Sequence, residues 1–135
     1  MEDRNFKVRI ICPDRVFYEG QAEMIEFSTT EGDIGVYKHH IPLTTVIRPG
    51  AVILTFEDGT QKEAAVHAGF AEILGDQVTI LAEIAEWPDE IDVNRAERAK
   101  ERAEKRLASV ADGKVDEARA EYALRKALVR LDVAR

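Results

Sequence analysis

Between residues 6 and 86 apolar side chains recur at every second position in short runs, and Gly, Pro or Asp separates the runs at intervals of about eight to twelve residues. A period of two is that of strands with one buried face. The pattern predicts strands over residues 6–11, 16–19, 22–28, 43–46, 51–56, 61–67, 70–74 and 78–84, with no strand between 29 and 42. Asp58-Gly59 predicts a two-residue hairpin turn with positive φ at its centre, and Gly75-Asp76 predicts a turn with glycine in first position. Pro49-Gly50 marks a further turn. Many short strands at regular spacing predict an antiparallel β-sandwich.

At Trp87-Pro88-Asp89 this regime ends, because proline biases its predecessor away from helix and sits badly in a central strand. Beyond it Ala96, Ala99, Ala103, Leu107 and Val110 follow at steps of three and four, and so do Ala120, Ala123, Leu124, Ala127, Leu128 and Leu131. Asp92 is positioned as an N-cap for the first stripe, and Asp112-Gly113 reads as its stop. The expected architecture is therefore α+β: a sandwich over 1–87, then an antiparallel α-helical hairpin over 88–135.

Charge divides the chain at the same place. Residues 94–135 carry 12 Lys+Arg against 8 Asp+Glu, a net of +4, and residues 1–93 hold the remaining 7 basic and 18 acidic groups, a net of −11. The overall charge of −7 argues against general affinity for nucleic acid or anionic membranes, leaving the arm as the one candidate anion surface. No apolar run approaches bilayer-spanning length, and the N-terminus lacks the apolar stretch of a secretory signal, so a soluble protein is expected. The single cysteine, Cys12, lies in an apolar run and reads as a small buried hydrophobe.

Arg95, Arg98, Arg102 and Arg106 recur at helical spacing just after Asp92. In a hairpin turning near Gly113, residues whose numbers sum to about 226 stand opposite one another, pairing Arg95 with Arg130, Arg106 with Arg119, and Arg102 with the neighbourhood of Lys126. Like charges across a tight alanine seam repel unless solvent or an anion intervenes. Splayed, solvated side chains with Glu101–Lys105 and Glu121–Arg125 pairs along the helices are the plainer reading. Arginine is also suited to multi-donor phosphate recognition, and Asp92 could accept a base amine, so a nucleotide is a physically sensible occupant, ranked below the plainer reading on spacing alone. Ten alanines and four leucines over 42 residues bury little area. The pairing of the helices is accordingly marginal and the arm a candidate switch: about 40 helical residues in line would reach about 60 Å.

Elsewhere the sequence is quiet. His39-His40 has no carboxylate or cysteine at ligand spacing, which predicts no metal site, and His67 reads as a hydrogen-bonded or exposed strand residue. The glycines form no phosphate loop, and no nucleophile motif is present, so no catalytic residue is predicted.

The segment Glu31-Gly32-Asp33-Ile34-Gly35, followed by His40-Ile41-Pro42-Leu43 and Arg48-Pro49-Gly50, resembles the signature loop of the epsilon subunits of bacterial F-type ATP synthases. Ala68-Gly69-Phe70-Ala71-Glu72 leading to Val78-Thr79-Ile80-Leu81-Ala82 is similar to the same family, and Ile91-Asp92-Val93-Asn94-Arg95-Ala96 resembles its Ile/Leu-Asp-x-x-Arg-Ala nucleotide motif. The resemblance implies a non-catalytic regulatory subunit in the central stalk of a proton-translocating rotary motor, peripheral on the cytoplasmic side of a bacterial plasma membrane. It implies the gamma subunit and the c-ring as partners, and the catalytic alpha and beta subunits when the hairpin extends, with no nucleic acid and no direct bilayer insertion. ATP is implied as a regulatory ligand at Glu86, Ile91, Asp92, Arg95, Ala96, Arg102, Arg119, Lys126 and Arg130, and a c-ring contact at Glu31, Gly32, Asp33 and His40. Lys126 stands where the family usually has arginine, and Lys38-His39 where it commonly has Pro-Gly. The competing reading from the residues alone is an autonomous module that binds polyanions or a partner helix, with steep salt dependence.

Overall fold

The computed structural model describes residues 3–110, 113 and 116–134. It divides into two compact units, one ending at Ala85 and one beginning at Glu86.

The first unit is the β-sandwich. Its strands are β1 (Phe6–Cys12), β2 (Arg15–Ala22), β3 (Met24–Thr29), β4 (Gly32–Tyr37), β5 (Leu43–Ile47), β6 (Gly50–Thr55), β7 (Gln61–Leu74) and β8 (Gln77–Glu86). Strands pair in the order β2-β1-β8-β7-β5-β3-β4, with β6 also joining β3 to β7. Alternate residues of β1 are buried, as the period predicts: Phe6, Val8, Ile10 and Cys12 face the core. β1 and β8 run parallel, an exception to the otherwise antiparallel pairings.

One sheet becomes two layers because it turns a corner. β5 and β6 are in effect a single strand interrupted at Arg48-Pro49, and β7 runs along both, pairing residues 69–73 with β5 and 61–66 with β6. Opposite the interruption, Ala68 (φ 56°) and Gly69 (φ 140°) leave the extended region, so both tracks bend at one level. A Cβ built on Gly69 would lie within bonding range of the Leu81 carbonyl, so only glycine lets the two backbones approach so closely. At the same bend Ala64, Ala65, Val66 and His67 are all buried, and His67 is 1% exposed, so its placement as an exposed strand residue does not hold.

Several boundaries differ from the sequence pattern for identifiable reasons. β4 is missing from the predicted set because Gly32, Asp33 and Gly35 read as turn residues. Its pairing with β3, Phe27 opposite Ile34 and Ile25 opposite Val36, overrides propensity. The β6–β7 turn has three residues: the Phe56 amide donates to the Thr60 carbonyl (2.9 Å), the Gly59 amide to the Phe56 carbonyl (2.9 Å), and Gly59 alone takes positive φ (84°). The turn at Gly75-Asp76 is present, but Gly75 does not take positive φ, so it is not of the glycine-first kind.

The second unit holds a 3-10 turn (Pro88–Glu90), α1 (Val93–Ala108) and α2 (Glu117–Ala134), the two helices packed together as the predicted hairpin. Asp92 caps α1, its Oδ1 accepting from the Arg95 amide at 3.0 Å. The stop comes earlier than Gly113: Ser109 is the C-cap, and its hydroxyl draws off the Lys105 carbonyl at 3.2 Å, a bond that competes with helical continuation. Gly113 takes the left-handed conformation (φ 69°), and Asp112 lies outside the described residues. Asp116 caps α2 through the Arg119 amide at 3.1 Å. Ala96 and Ala103 on α1 and Ala120 and Ala127 on α2 are buried, each pair seven residues apart. Both cross-pairs sum to 223, so the seam lies slightly off the expected 226.

Candidate functional site

A hairpin with an alanine seam brings its helix backbones close and throws longer side chains to the rims, and the predicted nucleotide residues follow that division. Ile91 and Ala96 are buried, so their side chains shape the hairpin and are not open contacts. Asp92, Arg95, Arg98, Arg102, Arg106 and Arg119 are exposed. Among the described residues, no carboxylate lies within ion-pair distance of Arg95, Arg98, Arg102, Arg106 or Arg119, nor does Glu101 bridge Lys105. The α1 cations are thus splayed into solvent, as the plainer reading has it, but without carboxylate pairs along α1 among the described residues.

Two further cations are engaged within the second unit. Arg130 Nε donates to Glu86 Oε1 at 2.7 Å, with side-chain exposures of 26% and 22%. Lys126 Nζ stands 5.0 Å from the centroid of the Tyr122 ring, a cation–π contact. By the seam register Arg95, Lys126 and Arg130 belong to one level, at the open end. Arg102 and Arg119 form a second level, about 10 Å further along by the rise of 1.5 Å per residue. The arrangement can take an elongated anion along the rim, with Asp92 at the open end as acceptor. Its Oδ1 is committed to the cap, which leaves Oδ2 for a ligand.

The signature-loop residues are split. Glu31, Gly32 and Asp33 are exposed at the β3–β4 turn, where Gly32 takes φ 122°, Thr29 Oγ1 donates to the Gly32 carbonyl (2.6 Å) and Ser28 Oγ donates to Asp33 (2.8 Å). His40 lies past the other end of β4, its Nδ1 2.6 Å from the Ile41 carbonyl. A contact that reaches both must span the length of β4, about 17 Å at 3.3 Å per residue. His39 beside it holds φ 68°, with its amide donating to the Gly75 carbonyl at 2.6 Å, the conformation that glycine takes without penalty.

The sequence pattern did not show an apolar row across the outer face of the sheet. Ile11 pairs with Val16 and with Leu81, and Val46 pairs with Phe70. β7 and β8 are sheet neighbours joined at Gly75-Asp76, and the Leu81 carbonyl lies against Gly69, so Phe70 and Leu81 lie close to one another. Val16, Leu81, Phe70 and Val46 are 57%, 52%, 55% and 44% exposed, and Ile11 is half-buried. Each position is one outward residue of an alternating strand, and a single strand cannot reveal that five such residues adjoin. Among the described residues no group of three or more His, Cys, Asp and Glu is placed for a metal, and no helix is long and apolar enough to cross a membrane.

Two family profiles cover the chain: that of the ATP synthase delta/epsilon chain β-sandwich domain matches residues 5–88, and that of the delta/epsilon chain long α-helix domain matches 89–135. The chain belongs to the ATP synthase delta/epsilon family. The ATP synthase epsilon chain of Caldanaerobacter subterraneus subsp. tengcongensis is 47% identical over 132 residues, covering 98% of this chain and 95% of its own. That of Halalkalibacterium halodurans is 49% identical over 127 residues, covering 94% and 95%. A chain of the Euglena gracilis mitochondrial ATP synthase OSCP/F1/c-ring assembly shares the fold with a TM-score of 0.82 at 22% identity, covering 98% of this chain and 82% of that one. Within the delta/epsilon family this is an epsilon-type chain.

Proposed function

We propose that this epsilon-type chain couples the rotor of a bacterial proton-translocating ATP synthase to its c-ring and regulates ATP hydrolysis through an ATP-sensing hairpin, without a catalytic site of its own. The observation that carries the sensing role is the α1 ladder: Arg95 and Arg102 are exposed cations without carboxylate partners among the described residues, just beyond the capping residue Asp92. A triphosphate offers the charge that this rim lacks. Glu86, Ile91, Asp92, Arg95, Ala96, Arg102, Arg119, Lys126 and Arg130 form the proposed nucleotide region, with Ile91 and Ala96 acting through packing.

The apolar row supports a protein partner on the sandwich, since exposed contiguous apolar surface marks interaction sites, and the gamma subunit is its proposed occupant. Glu31, Gly32, Asp33 and His40 are proposed to meet the c-ring, and the catalytic alpha and beta subunits are met when the hairpin extends. The subunit works peripherally on the cytoplasmic face of the plasma membrane. ATP bound only to the closed hairpin stabilises it by about 2.7 kcal/mol at a hundredfold excess over Kd, enough to bias a marginal alanine seam.

The test is calorimetric titration of the intact chain with ATP, ADP and GTP, repeated on Arg95→Ala combined with Asp92→Asn, since asparagine keeps the helix cap while removing the charge. The expected result is adenine-selective binding that weakens at least tenfold in the variant. Equal affinity in both chains, or equal response to GTP, overturns the sensing role.

A further inference from the structure

At the end of the sandwich where β1 begins, three segments meet around a cavity of about 630 Å³, lined by Asn5, Gln21, Phe56, Glu57, Asp58 and Thr60. None of these residues belongs to the nucleotide region or to the proposed c-ring contact. β1 and β2 pair there with Phe6 opposite Ala22, and the Glu23 amide donates to the Thr55 carbonyl at 2.8 Å, which brings the end of β6 and its turn against them. Tyr18 braces two of the walls: its hydroxyl donates to the Gln21 carbonyl at 3.2 Å, and its ring stands 6.5 Å from that of Phe56, tilted by 41°. Gly20 gives Tyr18 its room, since a Cβ there would stand 2.7 Å from the Tyr18 hydroxyl. Thr60 fixes Asp58, donating to its Oδ1 from the hydroxyl at 2.6 Å and from the amide at 3.0 Å, and these bonds hold the carboxyl below the usual carboxylate range. Asp58 Oδ2 is left for a ligand. Glu57 is engaged through one oxygen, Oε2, to which Asn5 Nδ2 donates at 3.5 Å.

We propose that this cavity seats an alkylguanidinium group, the arginine side chain of a protein partner. Phe56 apart, every lining residue carries an oxygen that accepts a hydrogen bond, and none of the six is a cation, so the lining attracts positive charge and repels an anion. Lys7 stands opposite Gln21 in the β1–β2 register but does not line the cavity. A guanidinium holds five N–H donors in one plane, enough to bond Glu57 and Asp58 together and still reach the carboxamide oxygens of Asn5 and Gln21. Half-buried Phe56 supplies an aromatic wall, on which a weakly hydrated guanidinium stacks more readily than a compact ammonium. Gln21, Glu57, Asp58 and Thr60 are exposed, so the cavity is open to solvent and encloses no free ligand whole. A side chain presented by another protein surface suits that shape. The net charge of −11 on residues 1–93 draws a basic partner toward it.

Heteronuclear NMR titration of the intact chain with Nα-acetylarginine amide tests this, with Nα-acetyllysine amide and sodium chloride at equal ionic strength as the other arms. The expected result is saturable shifts confined to the amides of Asn5, Gln21 and residues 56–60, with a Kd on the order of 1 mM for one side chain in an open site. The lysine compound, equal in charge but without the planar fork, is expected to bind at least about threefold more weakly. Glu57→Gln combined with Asp58→Asn keeps the side-chain shapes and a residue suited to the turn, and is expected to weaken the arginine compound at least about tenfold while the unfolding midpoint stays within a few degrees. Phe56→Leu leaves both carboxylates in place and is expected to reduce the preference for arginine over lysine, which loss of charge alone would not do. Shifts that sodium chloride reproduces, equal binding of the lysine compound, or undiminished affinity in the double variant overturns the site.

Discussion

Gly69 shows how much a single backbone position decides. Its φ of 140° and the Leu81 carbonyl against its missing side chain combine two penalties, conformational and steric. Gly69→Ala is expected to destabilise the sandwich by about 3 kcal/mol or more, read from urea unfolding with tyrosine and tryptophan fluorescence. A loss below about 1 kcal/mol would mean that the corner relaxes freely. Ala68 and His39 also hold left-handed backbone without glycine's freedom, and the pairing of β7 and the His39–Gly75 bond hold them there. The sequence marks Gly69 as significant, as one of a run that resembles a known family, but says nothing of why, since the obstructing atom lies twelve residues away on another strand.

Elements here are defined as much by their ends as by their periods. Asp92 was legible as a cap from its position before the arginine ladder, and the structure gives it that bond. Asp116 was not, because it follows closely on the turn signal Asp112-Gly113, although an aspartate ahead of the Ala120 stripe is a sufficient signal. Asp116→Ala is expected to cost about 1 kcal/mol of helix stability and to increase amide exchange in the first turns of α2 without touching α1. Comparable exchange changes in both helices would instead show that the hairpin opens as one unit. β7 carries the opposite lesson: two predicted strands, 61–67 and 70–74, form one element, because a bend at Ala68-Gly69 looks like a break in the pattern but keeps its ladder of partners.

At the scale of the whole molecule, two compact units carry two kinds of surface. The second bears a ladder of exposed arginines, and the first bears an apolar row from Val46 to Val16 across five strands. The row spans about 19 Å at 4.8 Å per strand, which is long for an accidental cluster on a small acidic domain. Phe70→Glu with Leu81→Glu is expected to lower the affinity for isolated gamma subunit at least tenfold, because truncated aromatic anchors dominate interface energies, while leaving the unfolding midpoint within a few degrees. Undiminished binding would place the partner on another face. The proposed nucleotide region divides in the same way: the motif residues Asp92 and Arg95 were visible in order along the chain, whereas the pairing of Glu86 with Arg130 joins the two ends of the unit.

Taken alone, the amino-acid order determined where strands give way to helices, which residue starts α1, where positive charge accumulates and which family the motifs resemble. These are local properties, written in neighbouring positions and in the periods of two and 3.6. Only the tertiary structure decided that β1 lies parallel to β8, that β4 is a strand, that five outward residues adjoin as one apolar row, and that Arg130 is held by Glu86. Those facts depend on which segments meet, and pairing between distant segments is set by the closure of the whole sheet and hairpin, which no local window of sequence contains.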